Sequence, residues 1–347
     1  MTQFLSDKIK VMSFLAIVVV LYIHAGLPYM EHPDGMMQVA MLAREIIARI
    51  IGDCAVPLFY TISGYLFFRH VDSISGIWEK MKKRVKSLFV PFIIASIHVP
   101  LFYILIEQIP GVSNYINAEP FLSVIGKMSI GAIICSLFYD SGNTFPWAVH
   151  LWFLRDLIII VALAPILFWS TRKIGVTALI GVFVLYLLFS KAYFLYGMIW
   201  FLMGYFFLEK LSVYKSIWFP VFWLAFAICH SFTHRFEYWH VLKVVEITLG
   251  ICTLWNLYDV VVPSTFRLDN FKLLKTACSF TFFVYLYHDP EYHIIVKGIP
   301  VLAGQNGTGY FLAFILSPLI HIPLMIVIGH VLKRYTPWLY SLLIGGR

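Results

Sequence analysis

The sequence predicts an all-α, polytopic integral membrane protein. The first observation is composition. Of its 347 residues, 61% are hydrophobic and only 13% charged, where a soluble domain carries about 25% charged residues. With a mean hydropathy of +0.83, the chain has more apolar surface than one core can hide. The second observation is pattern. The apolar residues form long continuous runs without the period-two alternation of barrel strands. The third is a requirement. A bilayer offers the backbone no water, so each crossing segment must pair its own N–H and C=O groups, as a helix does.

Taken in order, the runs predict about ten spans. The first, about 9–28, is IKVMSFLAIVVVLYIHAG followed by Leu27-Pro28-Tyr29, and it opens behind Lys8 and Lys10. No small-x-small cleavage site follows it, so it reads as a retained span and not a signal peptide. The second, about 46–68, ends in VPLFYTISGYLFF. The third, about 87–108, follows the basic run EKMKKRVK over 79–86. Segment 121–139 is apolar but holds Gly126, Lys127 and Gly131 in its middle, so it reads as re-entrant or interfacial. The fourth span, about 148–170, opens with HLWFLRD. The remainder are about 175–190, 194–208, 216–232, 241–262, 276–297 and 309–332.

Charge asymmetry orients them. With the N-terminus in the cytoplasm and ten spans, 18 of the 26 Lys and Arg fall inside, among them Lys8, Lys10, the 79–86 run, Lys215, Lys333, Arg334 and Arg347. The positive-inside rule favours that topology, with both termini cytoplasmic. Letting 121–139 span as well would swap every later loop and erase the bias. The net charge of +8 therefore marks cytoplasmic loops and not a nucleic-acid surface. There is no internal repeat, low-complexity tract or linker, so residues 1–347 read as one transmembrane domain. Cys54, Cys135, Cys229, Cys252 and Cys278 are scattered through apolar runs without a CxxC pair. They read as packing residues, with neither disulfide nor metal implied.

Ionisable residues inside the spans are expensive and mark functional positions. His24 lies roughly 21 Å along the first helix from Lys10 at the helical rise. Arg155 and Asp53 lie roughly 10 Å below the outer boundary, and His288 roughly 18 Å above the inner one. The eighth span adds Glu246, and the ninth adds Asp289, Glu291 and His293. These groups fall in the outer half of the membrane. A salt-bridge network that fastens helices accounts for Asp53, Arg155 and Asp156 equally well. Arg155 and Asp156 are adjacent, so on a helix they point in different directions and need other partners. Two histidines at one depth are harder to explain as fastening.

The order FLAIVVVLYIHAG, VPLFYTISGYLFF, KKRVKSLFVPF, HLWFLRDL, WFLMGYFF, SFTFFVYLYHDP and RYTPWLYSLLIGGR resembles, end to end, the acyltransferase 3 family of membrane acyltransferases. The resemblance implies a ten-span enzyme of the inner or plasma membrane. Such an enzyme takes an acyl group, usually acetyl, from cytoplasmic acyl-CoA and places it on a hydroxyl of a surface glycan or its lipid-linked precursor. The family's catalytic histidine maps onto His24. Its HLWFL pattern and late-helix histidine map onto His150–Asp156 and His288. The family commonly has an arginine eleven residues before the first histidine. Here that place is Ser13, and Lys10 lies on the same helix face.

The residues suit that chemistry. Acylating a hydroxyl needs a base, and histidine is the side chain whose unperturbed pKa serves at neutral pH. The oxyanion needs a fixed cation or donor, which Arg155 offers. The CoA phosphates need cations at the cytoplasmic face, and Lys82, Lys83, Arg84 and Lys86 offer them. Topology determination alone also accounts for that cluster. Ser63-Gly64 reads foremost as a small-residue helix contact. The expected catalytic set is thus His24, His288, Arg155, Asp156 and Asp53. The expected acyl-CoA contacts are Lys10, Lys82, Lys83, Arg84, Lys86 and Trp152. Acyl-CoA is the expected co-substrate, with no metal. A glycan acceptor and membrane lipid are the expected partners, self-association is left open, and no nucleic acid is expected. The alternative is a glycan or lipid exporter whose buried charges line its path. Internal inverted symmetry would favour that reading, and none is visible.

Overall fold

The computed structural model describes residues 1–109, 120–139, 147–211, 216–232 and 239–346. Lys215 and Arg347, counted among the inside charges, lie outside the described residues. All regular structure among the described residues is helical.

Helix α1 runs Gln3–His24, and the Thr2 side chain caps it by accepting from Leu5 N at 3.2 Å. It starts six residues before the expected span, and this corrects the reading of Lys8. Lys8 is fully buried. Its Nζ donates to Asp259 Oδ2 at 2.7 Å and stands 4.1 Å from the Trp255 ring centre, so it is no loop lysine. A paired carboxylate and an aromatic face together make that burial tolerable.

Helix α2 is one 34-residue helix, Gly35–Phe68. It carries a π-helical stretch, Glu45–Ile51, and a tight turn, Gly52–Cys54. Asp34 caps its start, accepting from Met37 N at 2.7 Å and from Gly307 N at 3.0 Å. Helix α3 runs Ile74–Ile106 as a second continuous helix. The basic 79–86 run is therefore the first part of a helix and not a loop. Two short helices follow, α4 at Phe121–Gly126 and α5 at Ile130–Ser136. Neither is long enough to cross a bilayer.

The fourth expected span is broken. Helix α6, Trp152–Ala162, begins after a tight turn at Val149–Leu151, and α7, Ala164–Ile174, is bent 61° away from the preceding segment. Pro165 near the start of α7 removes a backbone donor and disfavours continuation there. Helices α8 (Thr177–Leu188), α9 (Tyr193–Leu211), α10 (Trp218–Phe232) and α11 (Trp239–Val261) follow.

The ninth expected span is not one helix either. It divides into α12 (Lys272–Ser279), α13 (Thr281–Tyr287) and α14 (Glu291–Ala303), with the break at 288–290 and a cis Asp289–Pro290 bond. Helix α15, Gly307–Tyr335, and α16, Pro337–Leu343, end the chain. Among the described residues, five helices are long and apolar enough to cross a membrane, or six if the α6–α7 pair counts as one span.

The tightest joint is between α2 and α9. A Cβ on Gly64 would meet the Phe201 carbonyl, and one on Gly204 would meet the Thr61 carbonyl. The two backbones touch directly, the small-residue contact expected of Ser63-Gly64. One turn away, the Tyr60 ring covers Gly197. Helix α1 packs on α2, α12, α13 and α15 around a core that includes Ile17, Leu21, Phe67, Phe201 and Leu286.

Candidate active site

Breaks in the helices bring the site together. His24 is the last residue of α1, His150 sits in the turn before α6, and His288 sits in the gap between α13 and α14. The His24 and His288 ring centres are 5.1 Å apart, and those of His150 and His288 are 4.9 Å apart, both edge-on. His150 and His288 are buried, while His24 is half-buried. His288 therefore joins the other two into a row.

Hydrogen bonds orient that row. His288 Nδ1–H donates to the Tyr285 carbonyl at 2.9 Å. In the neutral ring this leaves the lone pair on Nε2, which is buried with no hydrogen-bond partner among the described residues. His150 Nε2–H donates to the Leu286 carbonyl at 3.2 Å, and the Tyr285 hydroxyl donates to the His150 carbonyl at 3.3 Å. Asp289 closes the row. Its Oδ2 is 3.3 Å from His150 Nδ1, and its Oδ1 is 3.2 Å from His293 Nε2.

A cavity of about 310 Å³ lies on the α1 side of Tyr285, whose carbonyl holds His288, and none of the three histidines lines it. Lys10, Ser13, Arg84, Phe153, Ser279 and Tyr285 are among the residues that line it. It thus joins the N-terminal half of α1 to the residue that holds His288. Its walls are mostly apolar, with two cations.

The other expected residues are placed elsewhere. Arg155 and Asp156 bond each other, Nε to Oδ1 at 2.8 Å, and Arg155 also donates to the Phe138 carbonyl at 3.3 Å. This corrects the expectation that adjacency would keep them apart, because the long guanidinium folds back. Both line a separate cavity of about 570 Å³ with Phe138 and Lys191. Asp53 pairs with Lys243 on α11, which also lies 3.4 Å from Glu246, and Glu246 is 2.6 Å from His230. Depth along the helices puts Asp53, Arg155, His24 and His288 at one level, and the structure brings together only the two histidines. Of the expected acyl-CoA contacts, Lys10 and Arg84 line the cavity near α1, while Lys82, Lys83 and Lys86 are exposed on α3 and do not line it. Trp152 is half-buried at the start of α6 and does not line that cavity. Among the described residues, no three His, Cys, Asp or Glu side chains are placed to hold a metal ion.

Asp289 and His293 join this cluster; the sequence marked both as intramembrane ionisable residues of the ninth span but did not place them in the expected catalytic set. Their spacing of four residues was the available signal, although Asp289 stands in the break just before α14 and not on the helix itself.

The acyltransferase-domain family matches residues 7–318. The chain is also 22% identical over 373 aligned positions to the succinoglycan biosynthesis protein ExoH of Rhizobium meliloti (strain 1021), covering 99% of this chain and 92% of that protein. No solved structure matches. With most of its length matched, the chain belongs to the acyltransferase-domain family, as its motif order indicated, and is a multi-pass membrane protein.

Proposed function

We propose that this member of the acyltransferase family moves an acyl group, acetyl in the simplest case, from acyl-CoA to a hydroxyl of a cell-envelope glycan or its lipid-linked precursor, with His24 as general base. The observation that carries the reading is the row His24–His288–His150–Asp289, with a cavity that has Lys10 and Arg84 on its lining and meets the row's support at Tyr285. In the ten-span arrangement with cytoplasmic termini, those two cations belong to the inner side of the membrane, where acyl-CoA is found. They suit its phosphates. The relative's printed role in succinoglycan biosynthesis supports a glycan acceptor.

The acceptor oxygen attacks the thioester carbon. A carbon–oxygen bond forms, and the carbon–sulfur bond breaks. His24 takes the hydroxyl proton during attack and returns it to the departing thiolate, so no proton is gained or lost. His24 is half-buried and is the most open of the three rings, so it meets the acceptor. His288 and His150 hold its surroundings.

Detergent-purified protein given acetyl-CoA and a glycan acceptor tests this. Acyl transfer is expected, with loss of transfer and retained acetyl-CoA binding in His24→Ala. A protein that ignores acetyl-CoA but moves glycan across vesicle membranes would overturn the reading in favour of a carrier. A reporter fused after Lys86 should be cytoplasmic if the ten-span topology holds.

A further inference from the structure

We propose that a second cavity, behind the histidine row, is a slot for the hydrocarbon chain of a lipid-borne saccharide, so that the acceptor is delivered on a lipid and not as free polymer. The inference rests on the acyltransferase reading and names the acceptor class for that site.

The cavity is about 410 Å³ and lies among α3, α13, α14, α15 and α16. Its walls are of two kinds. Phe283, Leu324, Ile328, Leu332 and Leu343 form a continuous apolar stretch. From His321 to Leu332 along α15 is eleven residues, about 16 Å at the helical rise. His98, Glu291 and His321 supply polar groups to the same cavity. His98 Nε2 is 2.6 Å from Glu291 Oε1. Both nitrogens of His321 and the second carboxylate oxygen of Glu291 are buried, without a hydrogen-bond partner among the described residues. His321 is fully buried, with the Tyr292 ring centre 5.2 Å from its own. Apolar helices of a membrane protein gain nothing from an unpaired imidazole and carboxylate, which are costly in hydrocarbon. A ligand that is polar at one end and apolar at the other satisfies both walls.

The polar groups choose the head. Glu291 disfavours a phosphate against it, while hydroxyls pair with a carboxylate and with imidazole nitrogens alike. A hydroxyl-rich sugar on a long apolar chain therefore fits better than a phospholipid. Position supports the assignment. Glu291 follows Asp289-Pro290 directly, and Asp289 binds both His150 and His293. The slot's Glu291 thus stands two residues along the chain from the row's Asp289, across the α13–α14 break.

The test uses a photoactivatable prenyl glucoside with the full-length protein in nanodiscs. Label is expected on peptides from α14 and α15. Ile328→Trp fills the slot from a lipid-facing position, and His321→Leu removes the unpaired imidazole while keeping bulk. Both should cut labelling and raise KM for the prenyl glucoside at least tenfold, with acetyl-CoA binding unchanged; Ile328→Trp, which meets only the chain, should leave KM for soluble methyl glucoside unchanged, whereas His321→Leu, which also loses a partner of the sugar, should raise it. Wild-type labelling and KM in both variants would overturn the proposal. So would competition by phosphatidylglycerol equal to that by unlabelled prenyl glucoside. Labelling as expected, with no acyl transfer to either acceptor, would overturn the acyltransferase reading and leave the slot's occupant standing. Transfer to methyl glucoside with no slot labelling would do the reverse.

Discussion

Around Lys243, opposite charges stand face to face. Its ammonium sits between Asp53 and Glu246, and Glu246 also meets His230. Around His288, three imidazoles stack edge-on, Asp289 pairs with His150 alone among them, and a buried ring nitrogen of His288 is left without a partner among the described residues. Both clusters lie among apolar helices, and both include ionisable residues that stand out in the sequence by their depth. The first has the design of a fastening, in which every charge is answered by its opposite. The second leaves hydrogen-bonding capacity unspent beside a cavity, as a site that must accept a substrate does. Cost alone therefore does not identify function inside a membrane. What identifies it is the capacity left over once neighbours are counted.

The sharpest cut at this contrast is His24. Loss of proton transfer alone lowers turnover by roughly 10²–10⁴-fold, and we expect that loss in His24→Ala with folding and acetyl-CoA binding kept. His24→Gln keeps size and one hydrogen bond but cannot take the proton, so it should be as inactive. Full activity in the Gln variant would move the base to His288.

Lys243→Met is the matching cut in the other cluster. Removing one partner of a buried pair costs roughly 3–5 kcal/mol, so its Tm should fall clearly while turnover per folded molecule stays near wild type. A Lys243→Met protein that melts normally but turns over slowly would erase the contrast and return Asp53 to the catalytic set.

Smaller effects separate the cations. Arg84 lines the cavity. Arg84→Gln removes a charge-assisted hydrogen bond to phosphate and should raise KM for acetyl-CoA roughly tenfold. Lys83 does not line the cavity, so Lys83→Gln should shift the same KM by less than about twofold, as expected of a solvated charge. Equal shifts in both variants would mean that overall charge, and not the cavity, attracts the nucleotide.

The helical class was legible because hydropathy reports burial in lipid directly, whereas of the ten expected spans five or six stand as helices long and apolar enough to cross a membrane among the described residues. His24 was legible for a similar reason, as a lone ionisable side chain ending an apolar run. The partners of these residues were not. His150 meets Asp289 only because one span begins with a tight turn and another breaks at 288–290, and an apolar run carries little sign of such a break. Arg155 and Asp156 mislead because side-chain direction at Cα is not decisive when a long guanidinium can fold back on its neighbour. Lys8 misleads because charge counts treat a terminal lysine as solvated. A carboxylate 251 residues away in sequence answers it.

The contact of α2 with α9 at Gly64 and Gly204 bears on selectivity. Ser63 and Phe67 of α2 and Phe201 of α9 all line the cavity that reaches from Lys10 to Tyr285. That wall is braced by backbone against backbone, with no side chain between that could turn aside. The Phe67 and Phe201 side chains that face the cavity can change rotamer, but the backbones that carry them can part only by prying two helices apart. If acyl-CoA enters here, its acyl group is gauged against a rigid stop, and the length accepted is a property of the scaffold and not of any one residue.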